Sequence, residues 1–175
     1  LVKNLKSTLS IPIHMQTHAT TGMSTATNMK AIEAGIDNID TSISSLSMTY
    51  GHTATETMLA IFENQEREIN LDLSALEEVS IFFKEIRDKY SEFEGNLKGV
   101  DSSMLVKQVP GGMLSNLESQ LRANKQEDKI DLVKDEIPKV RKDFGYPPLV
   151  TPASQIVGAQ APVSYTHLTL PTKVT

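Results

Sequence analysis

Residues 11–43 read as strand, helix, strand with short connections, and no other stretch limits the possible folds as tightly. Ile11 and Ile13 alternate with Pro12 and His14, and the turn residues Thr20, Thr21 and Gly22 follow, so residues 11–18 are expected to be extended. Residues 24–34 are expected to be helical and to close at Gly35, because glycine takes the left-handed conformation that ends helices. Residues 36–43 form the second expected strand, and residues 55–63 another helix beyond the loop 48–53. Strand, helix, strand in this order makes a parallel βαβ unit with a right-handed crossover.

Two parallel strands leave faces and edges without partners and do not form a stable sheet alone. The architecture expected here is α/β, and the pattern fits the last two βα units of a (β/α)8 TIM barrel with the other units upstream. Past residue 70 the strand pattern gives way to helices. Ser74 and Glu77 have capping-box spacing, and Leu76, Val79, Phe83, Ile86, Tyr90 and Phe93 recur at helical spacing. Pro110-Gly111-Gly112 punctuates the chain, and Met113, Leu114, Leu117 and Leu121 then share one face of a helix over residues 113–123. A further helix carries Val133, Ile137, Val140 and Phe144 on one side and stops at Gly145-Tyr146-Pro147-Pro148. These stripes are read as core packing. The expected division is a partial barrel over residues 1–69 and an all-helical domain over residues 70–161.

Composition excludes several classes. A formal net charge of -5 does not suit a nucleic-acid surface, which is normally basic. Without cysteine there are no disulfides, thiolate nucleophiles or Cys-type zinc sites. No apolar run approaches the ~20 residues of a membrane-spanning helix. The chain starts at Leu1 without methionine, so its natural start is expected upstream. Residues 163–172 are what a common transposon sequencing adapter encodes when read through. Residues 162–175 are accordingly read as foreign to the protein, which leaves His167 without functional weight.

The strongest chemical signal is His14-Met15-Gln16-Thr17-His18. Alternation places His14, Gln16 and His18 on one strand face, the interior face in a barrel, near the strand end where barrel active sites lie. Imidazoles at alternate strand positions can ligate one divalent metal, or they can be hydrogen-bonded bystanders. Taken with its neighbours, the segment resembles a known family. His14-x-x-x-His18-Ala19-Thr20-Thr21-Gly22, Lys30-Ala31-Ile32-Glu33-Ala34-Gly35 and Asp40-Thr41-Ser42-Ile43-Ser44 look like the last two strands of a biotin-dependent carboxyltransferase barrel. Ser47-Met48-Thr49-Tyr50-Gly51-His52-Thr53-Ala54-Thr55-Glu56 is similar to the family branch that holds the α subunits of oxaloacetate decarboxylases. So are Leu97-Lys98-Gly99-Val100-Asp101, Val109-Pro110-Gly111-Gly112-Met113-Leu114-Ser115-Asn116-Leu117, Tyr146-Pro147-Pro148-Leu149-Val150-Thr151-Pro152 and Ser154-Gln155-Ile156-Val157-Gly158.

The resemblance implies a metal-centred barrel capped by a helical funnel, moving a carboxyl group between a 2-oxo acid and biotin. In the decarboxylase branch oxaloacetate gives pyruvate, and a biotinyl domain carries the carboxyl to sodium-pumping membrane subunits. It further implies a cytoplasmic, homo-oligomeric enzyme, held at the inner membrane face through those partners. The family's two strand histidines that bind the divalent metal, zinc or similar, fall at Gln16 and His18. Gln16 departs from the pattern, and a single third-base change separates the codons; a clean reading is expected to give histidine there. His14 matches a non-ligating histidine, structural or supporting. Ser115 matches the residue that shuttles a proton between biotin and the 2-oxo acid; on its own it reads as a helix-start serine bonding backbone amides. His52 reads as a solvated loop histidine. The family's metal-binding aspartate, its carbamylated lysine and the biotin-bearing lysine have no match in this chain, so the chain alone is expected to be inactive. Lys30, Lys98 and Lys107 are read as solvated surface lysines. The alternatives are a carboxyltransferase subunit of pyruvate carboxylase, the related acyl-CoA lyase and synthase barrel, and a non-catalytic helical interaction module. The motif at residues 110–117 disfavours the second of these, and the idle strand histidines disfavour the third.

Overall fold

A computed structural model describes residues 1–63 and 69–169; the end of the segment read as adapter, from residue 170, and the His167 side chain lie outside the described residues. The protein is a mostly helical α/β chain that divides into two compact units, Leu1–Asp101 and Ser102–Thr175.

The first unit opens with helix α1 (Val2–Thr8) and strand β1 (His14–Met15), followed by α2 (Ser24–Glu33) and β2 (Asn38–Ile39). The strands pair in parallel, His14 with Asn38 and Met15 with Ile39, as the βαβ order requires. The ladder is far shorter than residues 11–18 and 36–43 suggested. Among the described residues the sheet holds only these two strands, and past residue 40 the second segment bonds residues 53–55 instead. A parallel bridge from Ser42 to Ala54 carries the second segment towards α3 (Thr55–Phe62). Helix α2 ends as expected: Gly35 takes φ +92° and the Ile36 amide turns back to the Ala31 carbonyl at 3.0 Å. Lys6 of α1 donates to both Asp37 carboxylate oxygens at 2.8 Å, and Asp37 also accepts from the Ile13 amide at 2.7 Å. The Lys6 hydrogen bond, then the Ile13 amide, holds the Asp37 carboxyl below its usual range. Ala31, Ile36, Met58, Leu59 and Phe62 are buried beside this ladder.

Helix α4 (Leu73–Lys89) lies in the first unit, although a boundary near residue 69 would group it with the helices that follow. It packs against α3 and the 3-10 turn Ser44–Leu46. The Ser44 and Ser80 hydroxyls meet at 2.7 Å, and Arg87 Nη1 donates to the Ser45 carbonyl at 2.8 Å. Two expectations for α4 are corrected. Its N-cap is Asp72, whose carboxylate accepts from the amides of Ser74 and Ala75, so Ser74 is itself one of the orphan donors being capped. Its apolar stripe is not a core either. No α4 residue is fully buried: Leu76, Phe83 and Ile86 are half-buried, and Val79, Tyr90 and Phe93 are exposed.

The second unit holds α5 (Met104–Lys107), α6 (Gly111–Ala123), α7 (Ile130–Asp143) and α8 (Ala153–Thr169). Here the stripes do form a core. Leu114, Leu117, Val133, Ile137 and Val157 are each at most 1% exposed. Phe144, at the C-cap of α7, is the exception at 51% exposed. The sequence reading did not anticipate α8, which packs on α6 and α7 and runs through Pro162 into the segment read as adapter. Its Gly158 lets the helices approach: a Cβ there would stand 3.2 Å from Met113 Cε.

Candidate functional site

The first unit brings two histidines together past the end of β1. From Gln16 the chain leaves the ladder and enters a turn in which the Gly22 amide bonds the Ala19 carbonyl at 2.8 Å. Gly22 has φ +80°, and a Cβ there would lie 3.0 Å from Val100, so two separate constraints select glycine. Ala19 and Thr20 are buried, which fixes the residue just before them, His18.

The opposing wall is the loop 48–53. Met48 and Thr49 take φ +64° and +49°, a conformation that costs non-glycine residues of order 1–3 kcal/mol each. Bonds from Gly51 to Met48 and from Met48 to His52, both 2.7 Å, close this tight turn, and the Ala19 amide reaches the Gly51 carbonyl at 2.8 Å. Tyr50 is anchored through its hydroxyl, which accepts from the Leu97 amide at 2.8 Å. The loop thereby aims the Tyr50 carbonyl at His18, whose Nδ1 lies 2.5 Å away. A carbonyl can only accept, so Nδ1 carries a proton, and in the neutral ring Nε2 is then the nitrogen with the open lone pair. His52 is arranged in the same way, with Nδ1 donating to the Thr17 carbonyl at 2.7 Å. The two rings stand 5.1 Å apart, centre to centre. His52 is therefore no free loop histidine; its ring is part-buried and fixed against the neighbouring segment.

Beneath the pair lies a polar layer that strand and helix periodicity does not reveal. Asn28 and Thr53 are fully buried and Ser24 nearly so. Thr53 Oγ1 donates to Ser24 Oγ at 2.7 Å, and Thr17 Oγ1 donates to Asn28 Oδ1 at 3.1 Å. The legible signal was a polar residue on the inward face of α2. Among the described residues Thr20 Oγ1 and Asn28 Nδ2 are buried without a partner, and each such group costs about 1–3 kcal/mol.

The other candidate residues disperse. His14 Nε2 lies 2.6 Å from Asp40 Oδ1 in a partly exposed pair, which gives it a structural partner across the ladder. Gln16 is exposed. Ser115 sits in the second unit, on the second turn of α6, and its hydroxyl donates to the Gly112 carbonyl at 3.0 Å. It therefore bonds back along its helix and does not cap the amides at its start; the N-cap position is Pro110. Lys30 pairs with Glu33 at 2.7 Å, and Lys107 pairs with Asp135 at 2.7 Å with its side chain only 22% exposed, so Lys107 is not simply solvated. Among the described residues no three histidine, aspartate or glutamate side chains cluster as a ready-made metal cage. A cavity of about 460 Å³ lies along β2 and α3, lined by His14, Ile36, Thr41, Met58 and Phe62 among others, and neither His18 nor His52 borders it.

Comparison with known proteins accounts for both units. Residues 1–82 match the HMGL-like family model, and residues 104–174 match the conserved carboxylase domain model PYC_OADA. The second match runs across the segment read as adapter. The methylmalonyl-CoA carboxyltransferase 5S subunit of Propionibacterium freudenreichii is 49% identical over 92% of this chain and 32% of its own length. A pyruvate carboxylase subunit of Methanocaldococcus jannaschii is 47% identical over 92% of this chain and 29% of its own. The chain thus spans about a third of the length of these relatives. Among solved structures, the carboxyl transferase domain of Rhizobium etli pyruvate carboxylase with oxalate superposes with a TM-score of 0.90 at 30% identity, covering 97% of this chain and 28% of that one. The same domain with pyruvate and biocytin gives a TM-score of 0.89 over 95% of this chain and 28% of that one. With both of its segments matched in this way, the chain belongs to the biotin-dependent carboxyltransferase family.

Proposed function

We propose that this chain is the C-terminal part of a carboxyltransferase centre that moves a carboxyl group between oxaloacetate and biotin, with pyruvate as the other product. The observation that carries the reading is His18, locked by the Tyr50 carbonyl into the tautomer whose Nε2 is free. Metal-ligating histidines almost always donate their other ring nitrogen in this way. In this reading residues 1–69 complete a (β/α)8 barrel, residues 70–161 form the helical funnel and residues 162–175 are foreign. His18 would hold a divalent metal of the zinc class, and position 16, here Gln16, is where the family's second histidine ligand falls. A metal bound there supplies Lewis-acid polarisation of the 2-oxo acid's carbonyl and stabilises the enolate that develops. Ser115 offers a hydroxyl that can take the proton from the biotin nitrogen and pass its own to the enolate carbon. The carbon–carbon bond of oxaloacetate breaks, a nitrogen–carbon bond to biotin forms, and the proton ends on pyruvate.

The pyruvate carboxylase relatives run this step in the direction their name states, and their identity to this chain favours a subunit of that enzyme as a second reading. The decarboxylase direction rests on the motif at residues 47–56, and membrane subunits would then receive the carboxyl. The biotinyl domain, a homo-oligomeric parent and cytoplasmic placement belong to the same proposal. No described helix is long and apolar enough to cross a membrane.

The test uses the longer polypeptide that contains this sequence, supplied with free biotin or biotinyl domain, and follows pyruvate release from oxaloacetate. Release should depend on biotin, and Ser115→Ala should lower kcat by about 10²–10⁴-fold, the usual contribution of a proton-transfer residue. Biotin-independent turnover would overturn the reading. The 175-residue chain alone is expected to release no more pyruvate than metal ion does.

A further inference from the structure

His52 has no part in the proton transfer proposed above, yet its ring faces the one histidine expected at the metal. The two rings lie 5.1 Å apart, tilted by 36°. Their fixing is reciprocal: His18 donates to the carbonyl of Tyr50, two residues before His52, and His52 donates to the carbonyl of Thr17, next to His18. Both acceptors are backbone oxygens, so both imidazoles are held as the Nδ1–H tautomer and both keep Nε2 open. Two imidazoles bound to one ion at metal–nitrogen distances of about 2.0–2.1 Å, with a tetrahedral angle between them, have ring centres about 5 Å apart. The ring-centre separation of 5.1 Å is compatible with shared ligation. Strain at Met48 and Thr49 sits in the turn that delivers His52, which is where a structure stores strain when a side chain must be placed.

We infer that His18 and His52 form a two-imidazole chelate for a divalent transition metal of the zinc class, with His52 supplying the second imidazole that position 16 lacks. The inference rests on the reading of His18 as a metal ligand. Imidazole suits zinc, nickel and copper, whereas the amide oxygen of Gln16 suits harder ions such as magnesium. The aspartate and carbamylated lysine that the resemblance implies outside this chain would take further coordination positions and leave one for water or a substrate oxygen.

Zinc titration of the longer polypeptide that contains this sequence tests this, with circular dichroism reporting whether each variant stays folded. His18→Ala and His52→Ala should each weaken zinc at least about tenfold, no less than the loss of a supporting residue costs, while Gln16→Ala should leave affinity within about twofold. Nitrogen-15 NMR of the imidazoles should show zinc shifting Nε2 of both histidines while both Nδ1 protons persist. His52→Asn guards against misfolding, since its amide can still donate to the Thr17 carbonyl without offering an imidazole. If His52→Asn or His52→Ala binds zinc like the unsubstituted chain, His52 is no ligand and the inference is wrong, while the reading of His18 stands. If His18→Ala also binds unchanged, both fall.

Discussion

Leu117→Ala should be among the most damaging substitutions in the second unit. Leu117 is 1% exposed on α6, facing α8 where Gly158 lets the two helices approach. The substitution removes about three carbons, worth about 0.8 kcal/mol each in lost burial, or about 2.4 kcal/mol. The hole left between packed helices adds a cavity term, which places the total at about 3–4 kcal/mol, within the range for such changes. Globular domains are held by roughly 0.05–0.15 kcal/mol per residue, so this is a large share of what a unit of this size has. Urea unfolding followed by far-ultraviolet circular dichroism measures it, with Leu132→Ala as the comparison. Leu132 lies on α7 but is 45% exposed, and its truncation should cost no more than about 0.5 kcal/mol. Equal losses for the two variants would refute the assignment of the α6 stripe as the core. The consequence reaches function, because α6 also carries Ser115 and its packing on α7 and α8 holds that hydroxyl in place.

Two further outcomes concern the first unit. Burial pushes the Glu56 carboxyl up, but hydrogen bonds from Ser44 and from backbone amides outweigh this and leave it below the usual range, and the Arg87 hydrogen bond lowers Glu94 likewise. A carboxyl with a depressed folded pKa contributes stability that is present above its unfolded value, about 4.3 for glutamate, and is lost as pH falls through the folded value. The urea midpoint of the first unit should therefore drop as the pH is lowered from about 5 towards 3, and Glu56→Gln should flatten that drop; an unchanged slope would sink the account. Gly22→Ala should destabilise the turn after His18 by at least about 1 kcal/mol and weaken zinc binding with it, because φ is +80° and Val100 occupies the space of the new methyl. A neutral Gly22→Ala would show that this turn relaxes freely.

The sequence by itself determined the local elements and the family. Alternation and helical spacing marked the βαβ order, the Gly35 stop and the α6 and α7 stripes, because these depend on residues a few positions apart. Ordered motifs along the chain carried the family resemblance, and the matched models agree with it. Tertiary structure decided what periodicity leaves open. A stripe says which face is apolar but not what covers it, so the α6 face is buried while the similar stripe on α4 is only partly covered. Strand length followed the number of available neighbours, which cut two expected strands to a two-residue ladder. The role of His52 was decided in the same way: its ring is set by a carbonyl 35 residues away in the chain, and its neighbour His18 by one 32 residues away. Hydrogen bonds across such separations fix tautomer and orientation, and a one-dimensional pattern holds no record of them.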